Sequence, residues 1–219
     1  MTMEISNPEE FEKKYVHNIY NNISIHFDKT RYSSWPIIEE FIRSFPKGSL
    51  VADIGCGNGR NCLVRNDCVF IGTDISESFI NICQKKGIRS LVANNLSLPF
   101  MNNYFNYTMS IAVIHHFCNI KRRIKAISEL IRITKIDGEI LIYVWAKEQK
   151  KFSEEKNNDI FVPWNFQINV KSQKKIYQRY YHLFEKGELE SLIKNFHNVN
   201  IIDKGYQKGN WYVIIKKNS

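Results

Sequence analysis

The chain has 219 residues, of which 43% are hydrophobic and 24% are charged, and its net charge at pH 7 is +9. This length and composition are typical of one globular domain with a sizeable core, so we expect a single domain over residues 1–219. No segment approaches the roughly 18 apolar residues of a membrane span, and residues 1–10 lack the basic-then-apolar pattern of a secretion signal. We therefore expect no membrane partner and an intracellular location, in the cytoplasm and as a second candidate in the nucleus.

The excess of Lys and Arg favours an anionic partner, and nucleic acid is one such partner. Biased base composition would produce the same excess, because Lys, Asn and Ile are abundant throughout the chain. The five cysteines, at 56, 62, 68, 83 and 118, are odd in number and lack Cys-x-x-Cys spacing. They predict reduced, mainly buried thiols and neither a disulfide framework nor a metal site.

Two helices are predicted before the first strand. Residues 8–27 carry one apolar residue at every fourth position and begin at Asn7-Pro8, which predicts an amphipathic helix. Trp35-Pro36 begins a second helix that runs through Phe45 and ends at the following Pro-Lys-Gly. We expect helices 8–45 to form a cap on the domain.

Strands and helices then alternate, which is the pattern of a parallel sheet. The predicted strands are 50–54, 69–73, 89–93, 107–114 and 140–145, and the predicted helices are 76–86 and 122–134. Residues 147–175 are polar apart from an apolar island at 160–164, and we interpret them as a mobile insertion over the sheet. A helix at 187–196 and a β-hairpin of 199–206 and 211–216 complete the chain.

The most informative motif follows the first strand. Gly55, Gly57 and Gly59 alternate after an apolar run, and Asp74 ends the second strand. Glycine permits positive φ and close backbone approach to a ligand, and an acidic residue at the end of the next strand can accept both hydroxyls of a ribose. The motif predicts a nucleoside-binding site, with a ligand-free glycine turn as the alternative.

The spacing of the glycines distinguishes two cofactors. A dinucleotide fold has Gly-x-Gly-x-x-Gly, but Arg60 stands where its third glycine would fall, and Asp53 lies two residues before Gly55. This acidic-x-Gly-x-Gly-x-Gly run resembles the first motif of class I S-adenosylmethionine (SAM) methyltransferases. The implied fold is α/β, a Rossmann-like seven-stranded sheet with a C-terminal antiparallel hairpin, and the order of the predicted strands supports it independently.

In open α/β sheets the ligand lies beyond the carboxyl ends of the strands, which brings loops 55–60, 74–76, 94–99 and 112–118 into one crevice. Many class I enzymes have an aspartate after the third strand that accepts the adenine amino group, and Asn94 at that position keeps an oxygen acceptor. The expected residues of the S-adenosyl-L-methionine site are Tyr20, Asp53, Gly55, Gly57, Gly59, Asp74, Ile75, Asn94, Asn95, Leu96 and Ala112.

Longer segments resemble a narrower family, the eukaryotic tRNA wobble-uridine (5-carboxymethyluridine-34) carboxyl methyltransferases. The resembling segments are 15–36, 110–117, 141–146, 159–164, 179–184, 187–189 and 209–213. The resemblance spans nearly the whole chain and implies tRNA as the substrate, with formation of a methyl ester on the carboxymethyl group. The sequence departs from the family at Asn94 and in the Lys/Asn-rich stretch 147–158.

This reaction needs little acid–base chemistry. A carboxymethyl group has a pKa near 4, so it is ionised at neutral pH and needs no general base. Catalysis then reduces to holding the carboxylate about 3–3.5 Å from the methyl group and excluding water. The candidate catalytic residues are Arg31, His115, His116, Arg179 and Tyr180, and Tyr181 is a further candidate donor. The carboxylate of the cofactor is an alternative partner for Arg31.

Three tryptophans, at 35, 145 and 164, are candidates to stack on a flipped base, although we expect at least one of them to pack in the core instead. The candidate phosphate-binding residues are Lys121, Arg122, Arg123, Lys125, Lys147, Lys150, Lys151, Lys171, Lys174 and Lys175. The family further implies a small zinc-containing methyltransferase activator subunit, which we expect to form a heterodimer through the edge strand 88–93.

Two other functions remain open from the sequence. The chain could methylate a carboxylate on a small molecule or a protein with the same fold. It could also be a catalytically silent binding subunit, although Asp53, Asp74 and the glycines argue against that alternative.

Overall fold

The computed structural model describes residues 5–31, 34–167 and 174–219, and only the backbone of 166–167 and 174–175. The chain begins with helices α1, Pro8–Glu12, and α2, Asn18–Thr30, which one π-helical turn at Lys13–His17 joins. The Asn7 side chain caps α1 by accepting from the Glu10 N–H over 3.2 Å, as expected for Asn-Pro at a helix start.

The remaining elements are strands with helices between some of them. The helices are α3, Pro36–Arg43; α4, Glu77–Lys85; α5, Ile120–Ile133; and α6, Glu188–Ile193. The strands are β1, Leu50–Ile54; β2, Val69–Asp74; β3, Ser90–Val92; β4, Phe105–Ile111; β5, Thr134–Trp145; β6, Asp159–Gln167; β7, Lys174–His182; β8, Val199–Gln207; and β9, Asn210–Lys217. A 3₁₀ turn joins β1 and β2, and a loop joins β3 and β4.

Seven strands form one sheet in the order β3-β2-β1-β4-β5-β9-β8. Strands β1 to β5 are parallel, and β9 pairs antiparallel with both β5 and β8. The hairpin between β8 and β9 turns at Lys208-Gly209, both with positive φ, which is the geometry of a tight two-residue turn. The predicted α/β fold with its C-terminal hairpin is confirmed, and β3 lies at the sheet edge.

Helices cover both faces of the sheet and bury two apolar layers. Helices α5 and α6 pack on one face against side chains such as Ile142 and Val213. Helices α3 and α4 pack on the other face against side chains such as Val51 and Leu141. Helix α3 therefore belongs to the layered core, whereas the segment α1–α2 packs against β7 and α4.

Several predicted elements differ from the structure, among them the fourth strand, the fifth strand and the insertion. The fourth strand ends at Ile111 instead of residue 114, because Ala112 adopts a φ of 60° and turns the chain out of the sheet. The fifth strand begins at Thr134 and contains a bulge before Glu139, so Gly138 lies inside it. The predicted insertion 147–175 contains β6, which pairs with β7 in a separate two-stranded sheet.

All five cysteines are buried free thiols, as expected. In the described part of the chain, no helix is long and apolar enough to cross a membrane. Likewise, residues 5–31, 34–167 and 174–219 hold no group of three or more His, Cys, Asp or Glu side chains that could bind a metal. Tyr32 and Lys171 lie outside the described residues, and so do the side chains of Lys174 and Lys175.

Candidate functional site

A cavity lies at the carboxyl ends of β1, β2, β4 and β5, and α2 and β7 form its outer wall. Twelve of the sixteen predicted site residues line it: Tyr20, Arg31, Gly55, Gly57, Asp74, Ile75, Asn94, Asn95, Ala112, His115, His116 and Arg179. Four do not: Asp53, Gly59, Leu96 and Tyr180. The four predicted loops thus meet around one space, and the N-terminal helix completes it.

The glycine loop owes its shape to positive φ values at Gly55, Gly57 and Gly59. A Cβ on Gly55 would lie 2.3 Å from Val113 Cγ2, and one on Gly59 would lie 2.5 Å from Ile88 Cδ1. A Cβ on Gly57 would meet only Phe27, at 3.9 Å. Gly55 and Gly59 therefore serve packing, whereas Gly57 keeps backbone open to the cavity.

Asp74 joins the glycine loop to the start of α4. Its Oδ2 accepts from the Gly57 N–H and its Oδ1 from the Ser76 N–H, each over 2.9 Å. Burial raises the pKa of Asp74 to about 6, and these backbone donors oppose that rise. Each oxygen keeps a further lone pair, so the carboxylate can still accept from two ribose hydroxyls.

Asp53 lies beneath the glycine loop and is fully buried. Its Oδ2 accepts a weak bond from Cys62 Sγ over 3.7 Å, and its Oδ1 has no hydrogen-bond partner among the described residues. Burial raises the pKa of Asp53 to about 7. The expected cofactor contact of Asp53 is thus corrected: its side chain supports the loop from below instead of facing the cavity.

The loop after β3 presents two adjacent asparagines with different roles. The Oδ1 of Asn94 accepts from the Leu96 N–H over 2.9 Å, so a local turn engages one of its two lone pairs. The Oδ1 of Asn95 is buried, lines the cavity and has no partner among the described residues. The adenine acceptor predicted at Asn94 therefore fits Asn95 better.

Strand β7 brings Arg179 and Tyr181 to the cavity. Alternate residues of a strand point to opposite faces, so Tyr180 between them faces away. The Tyr180 hydroxyl donates to Asp159 Oδ1 over 2.5 Å, and its ring packs on Phe11 in a separate apolar cluster. The predicted catalytic role of Tyr180 is therefore corrected, whereas Tyr181, the other candidate donor, lines the cavity.

A directed chain of hydrogen bonds crosses this wall of the cavity. His116 Nδ1 donates to the Tyr180 carbonyl oxygen over 2.9 Å, because that oxygen can only accept. Burial lowers the pKa of His116 to about 3, so its Nε2 carries no proton and accepts from the Tyr20 hydroxyl over 3.0 Å. Tyr181 then donates to Tyr20 over 2.8 Å, and Arg179 donates to Tyr181 over 2.8 Å.

Arg179 is 5% exposed and has no carboxylate partner among the described residues. Its Nε is buried and makes no hydrogen bond to the described part of the chain. The guanidinium lies 4.7 Å from the Trp164 ring centroid, and Arg31 approaches the same ring at 5.8 Å. A buried cation without an anion is costly, so this arrangement indicates an anionic ligand.

The tryptophans differ in their freedom to stack on a base. Trp164 is buried against Ile19 and Ile23 and lies outside the cavity lining. Trp145 lines the cavity, but Tyr181 stacks on it at 4.3 Å and Lys151 lies 3.9 Å from its centroid. Trp35 also lines the cavity, and the guanidinium carbon of Arg60 lies 4.4 Å from its ring centroid.

Several predicted phosphate-binding residues already have partners within the chain. Arg122 makes a bidentate pair with buried Glu12 at 2.9 and 2.6 Å. Arg123 is buried, and Lys125 and Lys147 pair with glutamates. Lys151 is the exception nearest the cavity: burial lowers its pKa, and the positive charges of Arg179 and Arg31 add to this effect.

Several residues of the cavity lining were not among the predicted site residues, and His17 is one of them. His17 ends the π-helical turn, which shifts the register of the helix and which no spacing rule revealed. The sequence offered both Tyr180 and Tyr181 as donors, and strand alternation selects Tyr181, because Arg179 lies on the same face of the strand. Together the lining suits a nucleoside with a ribose at Asp74 and an amino group at Asn95, beside an anion at Arg179.

Comparison with known proteins gives a family for this arrangement. Residues 52–142 match a family model described as a methyltransferase domain. The tRNA (carboxymethyluridine(34)-5-O)-methyltransferase of Schizosaccharomyces pombe is 40% identical over 227 aligned residues, which cover 95% of this chain and 99% of the relative. The similarity therefore includes the hairpin β6–β7 and the N-terminal helices as well as the methyltransferase domain.

Two solved structures share the fold. The 1,6-didemethyltoxoflavin-N1-methyltransferase of Burkholderia thailandensis, with 1,6-didemethyltoxoflavin and S-adenosylhomocysteine bound, has a TM-score of 0.71 and 13% identity, covering 100% of this chain and 94% of that chain. A second match is a chain of the complex between the Haloferax volcanii Trm112 methyltransferase activator and a putative methyltransferase. It has a TM-score of 0.67 and 13% identity, and the match covers 91% of this chain and 98% of that chain. At these identities the likeness shows the fold alone.

Proposed function

Because the chain belongs to the tRNA (carboxymethyluridine(34)-5-O)-methyltransferase family, we propose that it methylates the carboxymethyl group of 5-carboxymethyluridine at wobble position 34 of tRNA. The methyl donor is S-adenosyl-L-methionine, and the product is a methyl ester. Of the alternatives, methylation of a small-molecule or protein carboxylate uses the same cavity, whereas a silent subunit leaves the cavity without a role.

Arg179 is the observation that carries the proposal. It lines the cavity at 5% exposure, and no carboxylate of the described residues neutralises it. A guanidinium fork matches a carboxylate in shape and charge. The reacting group of 5-carboxymethyluridine is a carboxylate, so Arg179 supplies the partner that the substrate needs.

The residues around the cofactor fit its nucleoside. Asp74 retains lone pairs for the ribose hydroxyls, Gly57 leaves room for close approach, and Asn95 Oδ1 can accept from the adenine amino group. When bound, S-adenosylmethionine supplies a methyl group on a positively charged sulfur. The chain itself supplies orientation and exclusion of water.

No residue of the cavity needs to act as a base. The substrate carboxylate is ionised at neutral pH, and burial keeps His115 and His116 neutral by lowering the pKa of each. Arg179 holds the carboxylate, while Tyr181 and Tyr20 hold the guanidinium through the hydrogen-bond chain. The aromatic wall of Trp145 and Tyr181 keeps water from this side of the cavity.

Nucleoside mass spectrometry tests the proposal. The purified protein, with and without the activator subunit proposed below, is incubated with S-adenosylmethionine and tRNA that carries 5-carboxymethyluridine. We expect the methyl ester of that nucleoside to appear and the acid to disappear. tRNA with unmodified uridine at position 34 is the control. Methylation of a small acid or a protein without ester in tRNA would favour the alternative methyltransferase, and no transfer in any arm would favour the silent subunit.

We further propose a small zinc-containing activator subunit of the Trm112 type as the partner. The support is the edge position of β3 and the structural neighbour solved in a complex with such an activator. The Ala93 N–H donates to the Asp74 carbonyl and the Arg89 carbonyl accepts from Gly72, so residues 89 and 93 bond inward to β2. Backbone groups of a parallel strand bond alternately to its two neighbours. Residues 90 and 92, which alternate with 89, 91 and 93, therefore direct their backbone groups to the open edge.

This geometry gives a sharp test of docking. Val92→Pro removes the outward N–H without removing a bond to β2, and proline is tolerated on edge strands. We expect co-purification with a Trm112-type subunit to be lost in Val92→Pro and retained in Val92→Thr, which keeps both the N–H and the branched side chain. A complex that is indifferent to Val92→Pro would exclude pairing through β3.

A further inference from the structure

The two adjacent histidines of the cavity hold their ring protons on opposite nitrogens. Nδ1 of His115 accepts from the Trp145 backbone N–H over 3.0 Å, so it carries no proton. The neutral ring therefore has its proton on Nε2. In His116 the order is reversed, because Nδ1 donates to the Tyr180 carbonyl oxygen and Nε2 accepts from Tyr20.

Both ring nitrogens of His116 are hydrogen-bonded to other residues, whereas only Nδ1 of His115 has such a partner in the described part of the chain. The side chain of His115 is fully buried and lines the cavity, and its Nε2 has no hydrogen-bond partner among the described residues. Buried N–H groups are nearly always hydrogen-bonded, so a donor held in this way indicates an acceptor on a ligand. The Trp145 backbone N–H fixes the direction of the ring, since rotation would break that bond.

The surroundings of His115 specify the kind of acceptor. Its ring lies 4.9 Å from the Tyr181 ring and 4.5 Å from the His116 ring, and the charge of Arg179 acts on it. The hydroxyls of Tyr181 and Tyr20 already donate within the chain of hydrogen bonds. On this side of the cavity, the Nε2–H of His115 and the Nε–H of Arg179 are therefore two donors without acceptors among the described residues. A ligand group that accepts two hydrogen bonds would satisfy both.

We propose that the Nε2–H of His115 is a permanently neutral donor that binds one oxygen of the reacting carboxylate beside Arg179. This inference rests on the proposed function and deepens it. With one oxygen held by His115, the other is oriented for attack. That oxygen forms the C–O bond as the methyl–sulfur bond breaks, its negative charge and the positive charge of the sulfur cancel, and no proton is released. His115 keeps its proton throughout.

Two substitutions separate the two nitrogens of His115. The amide of asparagine reaches the position of Nδ1, so His115→Asn can still accept from Trp145 but has no donor at the position of Nε2. The amide of glutamine reaches the position of Nε2, so His115→Gln keeps a donor to the substrate and loses the acceptor. A purely structural role favours asparagine, whereas the proposed role favours glutamine.

The measurement is the single-turnover rate of ester formation in tRNA with saturating cofactor. A hydrogen bond to a charged group corresponds to about 10- to 100-fold in rate. We expect His115→Asn to lose that factor, His115→Gln to retain clearly more activity than His115→Asn, and both to bind the cofactor like the wild type in calorimetry. Wild-type activity in His115→Asn, or equal losses in the two variants, would overturn the proposal.

Nitrogen-15 NMR of the unsubstituted protein provides a second measurement that does not depend on folding of a variant. We expect His115 to show a protonated Nε2 and an unprotonated Nδ1 at every pH from about 5.5 to 8. A proton on Nδ1, or titration to the charged form in this range, would contradict the inference. If the wild type forms no ester in tRNA while the NMR result holds, the proposed function has failed and the tautomer assignment has not.

Discussion

The Tyr20 hydroxyl donates to Nε2 of His116 over 3.0 Å and so connects two segments that are 96 residues apart in the chain. Tyr20 belongs to α2, outside the main sheet, whereas His116 lies in the 3₁₀ turn after β4. The same hydroxyl accepts from Tyr181 of β7. One oxygen therefore joins the N-terminal helix, the main sheet and the separate hairpin at the cavity.

Replacement of this oxygen tests the network. In Tyr20→Phe, His116 loses its donor and Tyr181 loses its acceptor, so we expect the free energy of unfolding to fall by about 1–3 kcal/mol. Methylation should fall further than stability, since Arg179 loses part of its support. Denaturant unfolding and rate assays measure both quantities. Tyr206→Phe, at a 45% exposed position on β8, is the control and should change neither.

The ribose site is tested at Asp74. In Asp74→Ala the hydrogen bonds to the ribose hydroxyls are lost, each worth roughly 1.5–3 kcal/mol because the acceptor is charged. We expect the affinity for S-adenosylmethionine in calorimetry to fall at least tenfold. Asp67→Ala removes a carboxylate that pairs with Arg65 outside the cavity and should leave affinity unchanged. Wild-type affinity in Asp74→Ala would mean that the ribose of the cofactor does not bind at Asp74.

The glycines of the loop should respond differently to alanine. Positive φ costs an alanine about 1–2 kcal/mol at either Gly55 or Gly57. Gly55→Ala also collides with Val113, so we expect it to lose clearly more stability than Gly57→Ala. Gly57→Ala should fold and lose cofactor affinity, because its methyl group enters the cavity. Thermal unfolding and calorimetry on both variants check this contrast, which equal stability losses would contradict.

The two arginines of the cavity can be assigned by separate readouts. We expect Arg179→Ala to lower the methylation rate at saturating cofactor and to leave tRNA affinity nearly unchanged. Arg31→Ala should do the same if Arg31 holds the substrate carboxylate, and should weaken cofactor binding if it holds the cofactor carboxylate. Arg43 is exposed and pairs with Glu39 on the surface, so Arg43→Ala is the control for the loss of a positive charge. Wild-type turnover in both cavity variants would exclude both arginines as carboxylate ligands.

Asp53 should make stability depend on pH. Its pKa is raised by burial from 3.8 to about 7, so between these values the folded protein keeps a proton that the unfolded chain has lost. The contribution of Asp53 to the free energy of unfolding has its full value below pH 3.8, and it is lost as the pH rises through 7. Asp53→Asn should therefore gain stability relative to the wild type, by up to ~1.4 kcal/mol per pH unit within this window. Urea unfolding at pH 5 and 7.5 measures the gain.

Asp137→Asn is the matched control for this experiment, because Asp137 has a 78% exposed side chain that pairs with Lys216. Its difference from the wild type should stay nearly constant between the two pH values. A difference for Asp53→Asn that is equally constant would mean that the Asp53 carboxyl is not protonated in the folded protein at pH 5.

The sequence predicted the parts of this molecule that depend on short-range patterns. Apolar runs fixed β1 and β2, and the rule for parallel strands brought the loops that carry Gly57, Asp74 and Ala112 to one edge. It did not predict features that arise from tertiary contacts. The side chains of Tyr180 and Tyr181 differ only by the face of a strand, and β6 contains a proline and lies in an otherwise polar segment, so it resembled part of a loop. The partners of Arg122 and Lys147 were likewise invisible before folding.

The hairpin β6–β7 forms its own sheet and shares no strand with the seven-stranded one. It carries Arg179 and Tyr181, whereas the glycine loop and Asp74 belong to the main sheet. In the proposed mechanism the hairpin thus supplies Arg179 for the methyl acceptor, whereas the main sheet supplies the donor site and His115. Replacements in the hairpin should therefore change how the acceptor is held while the donor site stays intact, which gives evolution and protein engineering the same route to altered specificity.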